Sequence, residues 1–76
     1  MFTENQRIAI QAWLNTFDQY PTYFEFSRLS QCRWCLSAYF GPVTYSICFS
    51  GPAPIAMKRR FTINDLGLEF GVGMNG

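Results

Sequence analysis

The residues with the most evident chemical capacity in this chain are the thiols Cys32, Cys35 and Cys48, the first two spaced C-x-x-C within Cys32-Arg-Trp-Cys35. That spacing serves zinc sites and thioredoxin-type redox centres, so each chemistry must be tested against its surroundings. A closed zinc site needs further soft ligands, but the sequence has no histidine and no third thiol except Cys48, so no metal is expected. A redox pair needs a helix N-terminus after a strand, where the dipole lowers a thiol pKa, and the flanking βαβ pattern is missing. In an extended strand, residues three apart face opposite sides. Cys32 is then expected to enter the core while Cys35 points outward, and the motif divides.

Acid–base catalysis has little to work with. Without histidine, and with Glu4 in the first turn of the expected helix, the carboxylates considered as a general base are Asp18, Glu25, Asp65 and Glu69, and none is spaced to meet a second carboxylate or a Ser or Cys nucleophile. Gly67, Gly71 and Gly73 alternate as in a strand rather than opening a helix, so no phosphate loop is read. The expectation is a protein that is not an enzyme and carries no cofactor.

Binding chemistry is better represented. Met57-Lys-Arg-Arg-Phe61 holds three of the 6 cations. It is either a solvated strand face or, joined to Arg33 and Tyr39, a patch for an acidic protein surface or a phosphate group. The candidate partner-binding residues are Arg33, Tyr39, Lys58, Arg60 and Glu69. Single-stranded nucleic acid needs aromatics on the same face as the cations, and only Tyr39 qualifies, so nucleic acid or nucleotide is the less favoured partner. The net charge of +1 and pI of about 7.7 disfavour both an acidic nucleic-acid mimic and a basic duplex binder, which rely on large fields of one sign.

These side chains depend on elements that the hydrophobic periodicity announces. Thr3 and Gln6 fit a capping box, Glu4 sits in the first turn, and Ile10, Trp13, Leu14 and Phe17 form one apolar stripe, predicting a helix that Pro21 ends. Beyond Pro21 the period is two. Cys32, Trp34, Leu36, Ala38 and Phe40 alternate with polar positions, as do Val43, Tyr45, Ile47 and Phe49, and Gly41-Pro42 suits a two-residue type II′ turn. In that register Phe40 faces Val43, Trp34 faces Phe49, and Cys35 meets Cys48 on the outer face, as adjacent thiols or as a disulfide. A helix over 27–40 stopped by Gly41-Pro42 is the competing reading. A second hairpin is expected from Ile55, Met57, Phe61 and Ile63 through an Asn64-Asp65 turn to Leu66, Leu68, Phe70, Val72 and Met74, with Arg60 opposite Glu69 and Arg59 opposite Phe70. Residues 22–28, with Phe24 and Phe26 on one side, read as either a short strand or an irregular approach.

The fold class expected is α+β: one domain over 1–76, an N-terminal helix packed on an antiparallel sheet of about four strands in two hairpins. A chain of this size buries only about 60% of its unfolded surface. Only 14% of its residues are charged, against a typical ~25%. One helix ~10 Å wide covers about two strands spaced ~4.8 Å apart, so a homodimer, or another homo-oligomer, is expected to cover the rest. No basic leader and no apolar run long enough for a membrane precede or interrupt the pattern, which predicts a cytoplasmic protein with mostly free thiols and no membrane partner. The function expected is a small non-enzymatic binding protein that modulates or blocks a macromolecular partner, of the kind phage and mobile elements use against host defence, anti-CRISPR proteins included. The alternatives are a phosphate-ligand or nucleotide-sequestering oligomer and a structural oligomerisation module.

Overall fold

A computed structural model describes residues 2–54 and 57–67. Helix α1, Glu4–Leu14, begins on the expected box: Thr3 Oγ1 accepts from the Gln6 amide at 3.1 Å and Gln6 Oε1 accepts from the Thr3 amide at 3.0 Å. These bonds satisfy donors that a helix start otherwise leaves unpaired. The helix stops well before Pro21, because Thr16 turns back on one of its last carbonyls. The Asn15 amide still makes the helical bond to Gln11 O at 3.0 Å, but the Thr16 amide and hydroxyl both donate to Trp13 O, at 3.1 and 2.6 Å, a local arrangement that competes with helix continuation. The tight turn still delivers Phe17 to the core beside Trp13, with ring centroids 5.0 Å apart.

The sheet is antiparallel, with strands β1 (Tyr23–Ser30), β2 (Arg33–Phe40), β3 (Val43–Ser50) and β4 (Arg60–Phe61) in the order β3-β2-β1-β4. The β2–β3 hairpin has the predicted register from Phe40↔Val43 to Arg33↔Ser50, and Gly41 takes the positive φ of 83° that the turn requires. The helical alternative for 27–40 is thereby overturned. The undecided segment 22–28 is a full strand: Phe24 lies opposite Ala38 and Phe26 opposite Leu36.

Two expectations need correction. Cys32 does not enter the core. The β1–β2 connection, with a bulge between Arg28 and Ser30, leaves Gln31 and Cys32 in the turn, where the exposed Cys32 donates its amide to Ser30 Oγ at 3.2 Å. Asn64-Asp65 is not a hairpin turn either. Ile63–Leu66 forms a single helical turn, α2: the Thr62 amide donates to Asp65 Oδ2 at 2.9 Å, and Gly67 closes the turn at φ 69°. Asp65 therefore caps a helix, and Leu66 packs into the core. The strand partner of Arg60 and Phe61 is β1, through Glu25↔Arg60 and Phe24↔Phe61. Ile55, the proposed far strand beyond Gly67, the Arg59–Phe70 pair and Glu69 lie outside the described residues.

Ile10, Leu14 and Phe17 close over Phe24, Trp34, Leu36, Ala38, Phe61 and Leu66 to make the core. Trp34 is fully buried, stacked 4.6 Å from Phe49, and its Nε1–H has no hydrogen-bond partner. Of the strands, α1 comes nearest to β3, yet it leaves the apolar side of that strand half covered, with Val43 46% and Tyr45 50% exposed. Trp34→Ala should cost about 3–5 kcal/mol, a large share of the roughly 4–11 kcal/mol available to a chain this size. Trp34→Phe should cost less, because it also removes the buried unpaired donor. Urea titration of the three proteins checks the order; equal midpoints for wild type and Trp34→Ala would contradict this core.

Candidate binding face

Strand alternation sends Phe24, Trp34, Leu36, Ala38 and Phe61 toward α1 and sends Tyr23, Glu25, Ser27, Arg33, Cys35, Ser37, Tyr39, Thr44, Ser46, Cys48, Ser50 and Arg60 to the opposite side. Among the described residues no element packs on that second face. It is fastened by side chains of neighbouring strands. Cys35 and Cys48 form a disulfide with an S–S distance of 2.04 Å and a Cα–Cα distance of 4.0 Å, which decides the question that the two opposed cysteines left open and corrects the expectation of mostly free thiols, since Cys32 alone of the three is unbonded. One step along, the Ser37 and Ser46 hydroxyls are 2.9 Å apart.

At the β1–β4 end the face carries its densest cluster. The Tyr39 hydroxyl donates to Glu25 Oε1 at 2.8 Å, and Arg60 Nη2 donates to Glu25 Oε2 at 3.3 Å. The Tyr23 ring stacks on Tyr39 at 4.7 Å between centroids and 11° between planes, and the Arg60 guanidinium lies 4.4 Å over Tyr23. Because β1 lies between β2 and β4, Tyr39 and Arg60 occupy opposite faces of the Tyr23 ring. The bond from Tyr39, with the Arg60 bond and charge behind it, holds the Glu25 carboxyl below its ordinary value of 4.5. The same bond to Glu25 pushes the Tyr39 phenol above 10.0. With the Glu25 side chain 19% exposed and Arg60 65% exposed, the carboxylate serves as an internal anchor while the guanidinium remains presented.

The structure therefore brings two of the sequence candidates together, Tyr39 and Arg60. Arg33 shares their face but stands at the far end of β2, about 20 Å away at ~3.3 Å per residue, opposite Ser50. Lys58 lies exposed before β4. Its charge acts on Asp65, whose carboxyl is lowered first by the Thr62 amide. Arg60 pairs with Glu25 of β1; Glu69, the partner expected for it, lies outside the described residues. Tyr23 and Glu25 were missed, although both alternate with Phe24 and Phe26 and follow at once when 22–28 is read as a strand.

Among the described residues no group of three or more His, Cys, Asp or Glu could hold a metal ion, and no helix is long and apolar enough to cross a membrane. Compared with known proteins, the chain matches no family model, no curated protein and no solved structure.

Two outcomes test this face. A carboxyl with a lowered folded pKa contributes stability that is complete above the unfolded value and is lost as pH falls through the folded one. The difference in urea midpoint between wild type and Glu25→Gln should thus be steady above pH 4.5 and shrink below it, while Tyr39→Phe should move the Glu25 carboxyl NMR titration upward. An unmoved titration would contradict the bond. Cys48→Ser should lower stability by about 2–3 kcal/mol, the chain-entropy value for a loop of this length, with a sequence separation of 13; urea unfolding in the presence and absence of reductant checks it.

Proposed function

We propose that this chain is a non-enzymatic binding protein that modulates or blocks a macromolecular partner, and that it engages an acidic protein surface through the open face of the sheet around Tyr39, Tyr23 and Arg60. The carrying observation is the Tyr39–Tyr23–Arg60 stack anchored on Glu25. Tyr and Arg are the residue types that concentrate binding energy at protein interfaces, because each offers a large rigid surface together with a polar end. Here they are ordered before any partner arrives, so little rotamer entropy remains to be lost on binding. The guanidinium bonds Glu25 through one nitrogen, which leaves donors for a second carboxylate.

The same stack favours protein over nucleic acid. Single-strand binders present open ring faces to successive bases. Both faces of Tyr23 are occupied, one by Tyr39 and one by Arg60, which leaves a base only the outer side of Tyr39.

Affinity capture with the immobilised full chain tests this reading. A stoichiometric protein should be retained by wild type and by Ile8→Ala on the exposed side of α1. It should be lost by on the order of tenfold or more with Tyr39→Ala and Arg60→Ala, at melting temperatures that show both variants folded. Equal retention by all four, or co-purifying absorbance at 260 nm in place of a protein, would overturn it.

A further inference from the structure

Strand β3 is 8 residues long, VTYSICFS, and occupies one margin of the sheet. Its backbone has two sets of groups, and the geometry says which set faces out. Antiparallel pairs alternate between hydrogen-bonded pairs, with Cα atoms about 5.5 Å apart, and non-bonded pairs about 4.5 Å apart. The Cα–Cα distance of 4.0 Å makes Cys35↔Cys48 a non-bonded pair, and the Gly51 amide donating to Cys32 O at 2.6 Å continues the bonded set. Val43, Tyr45, Ile47 and Phe49 therefore spend their amides and carbonyls on β2. Those of Thr44, Ser46, Cys48 and Ser50 point away from the sheet, where no described strand receives them.

Natural sheets blunt such margins with Lys, Pro, bulges or very short strands. At the other margin β4 does so, with 2 residues, one of them Arg60. β3 has no charge, no Pro, no Gly and an unbroken register. We infer that β3 pairs antiparallel with β3 of a second copy of this chain, joining two sheets into one across a two-fold axis at Ile47.

The choice of a second copy follows from the sequence of the strand. The register that engages every outward residue sets Thr44 against the partner's Ser50 and Ser46 against the partner's Cys48. The same register sets Ile47 against the partner's Ile47 and Tyr45 against the partner's Phe49 on the helix side. Every small polar residue then meets another on the open face. The half-exposed apolar residues beside α1 cover one another as cross-strand aromatic and aliphatic pairs. Because the strand is neutral, self-pairing sets no like charges opposite each other, whereas a charged partner strand would find no complement. The dimer leaves Tyr39 and Arg60 on the open face, so it stands apart from their proposed use.

Sedimentation equilibrium of the full chain over a range of concentrations should give a mass twice 8.8 kDa. Ser46→Pro should return the monomer while far-UV CD keeps its shape, because the proline removes an outward amide and no β2–β3 backbone bond, losing across that pair only the exposed hydroxyl contact with Ser37. Amide exchange of the unmodified chain gives a second readout, needed if the proline variant does not fold. Ser46 and Cys48 should be protected in the dimer as strongly as Tyr45 and Ile47, and lose that protection on dilution. A monomer at all concentrations, a dimer in which Ser46 and Cys48 exchange fast, or protection of those amides in a monomer would each overturn the inference.

Discussion

The constraint on which the rest of this structure depends is the β2–β3 register set by the Gly41-Pro42 turn. A two-residue connection that twists with its strands needs positive φ at its first position, and Gly41 supplies 83° without steric cost. Once Phe40 is set opposite Val43, every later pair follows. A slip of one residue would turn the Trp34, Leu36 and Ala38 set to water and the Arg33, Ser37 and Tyr39 set toward α1. The disulfide and the serine pair are further consequences of the same register, since Cys35 meets Cys48 and Ser37 meets Ser46 only in it.

The next level is coverage. One helix of 11 residues can bury the middle of a four-stranded sheet but not its whole width. It seals Phe24, Trp34, Leu36 and Ala38 completely, and leaves β3 with a half-wet apolar side and an unblunted edge. On the other face the sheet needs no cover, because its outward residues are mostly polar, Cys35 and Cys48 are joined to each other, and Tyr23 and Tyr39 are stacked, with the Tyr39 hydroxyl bonded to Glu25. Among the described residues the molecule thus presents two distinct surfaces, an unblunted strand edge at β3 and an open face across the sheet.

How much of this the sequence discloses varies by segment for physical reasons. The first helix and the β2–β3 hairpin were legible because capping chemistry, period and turn residues agree over a long stretch. The disulfide was legible as a meeting of two thiols. β1 was ambiguous because Tyr23, Glu25 and Ser27 alternate with only two large apolar residues before Arg28 and Leu29 break the pattern. The turn at Asn64-Asp65 was misread because Asp65 has two uses, as a turn former and as a helix cap, and the short-range bond to Thr62 selects the second. The candidate site inherits both failures. Arg60 and Tyr39 were identified, but the residues that join them, Glu25 and Tyr23, belong to the strand that was left undecided.

The hairpin register can be read directly in solution by proton NMR. Close Hα–Hα contacts occur across non-hydrogen-bonded antiparallel pairs, so Cys35 with Cys48, Ser37 with Ser46 and Tyr39 with Thr44 should each give a strong cross-strand Overhauser effect. Contacts displaced by one residue, or sequential amide contacts typical of a helix through Trp34 and Leu36, would contradict the account at its base.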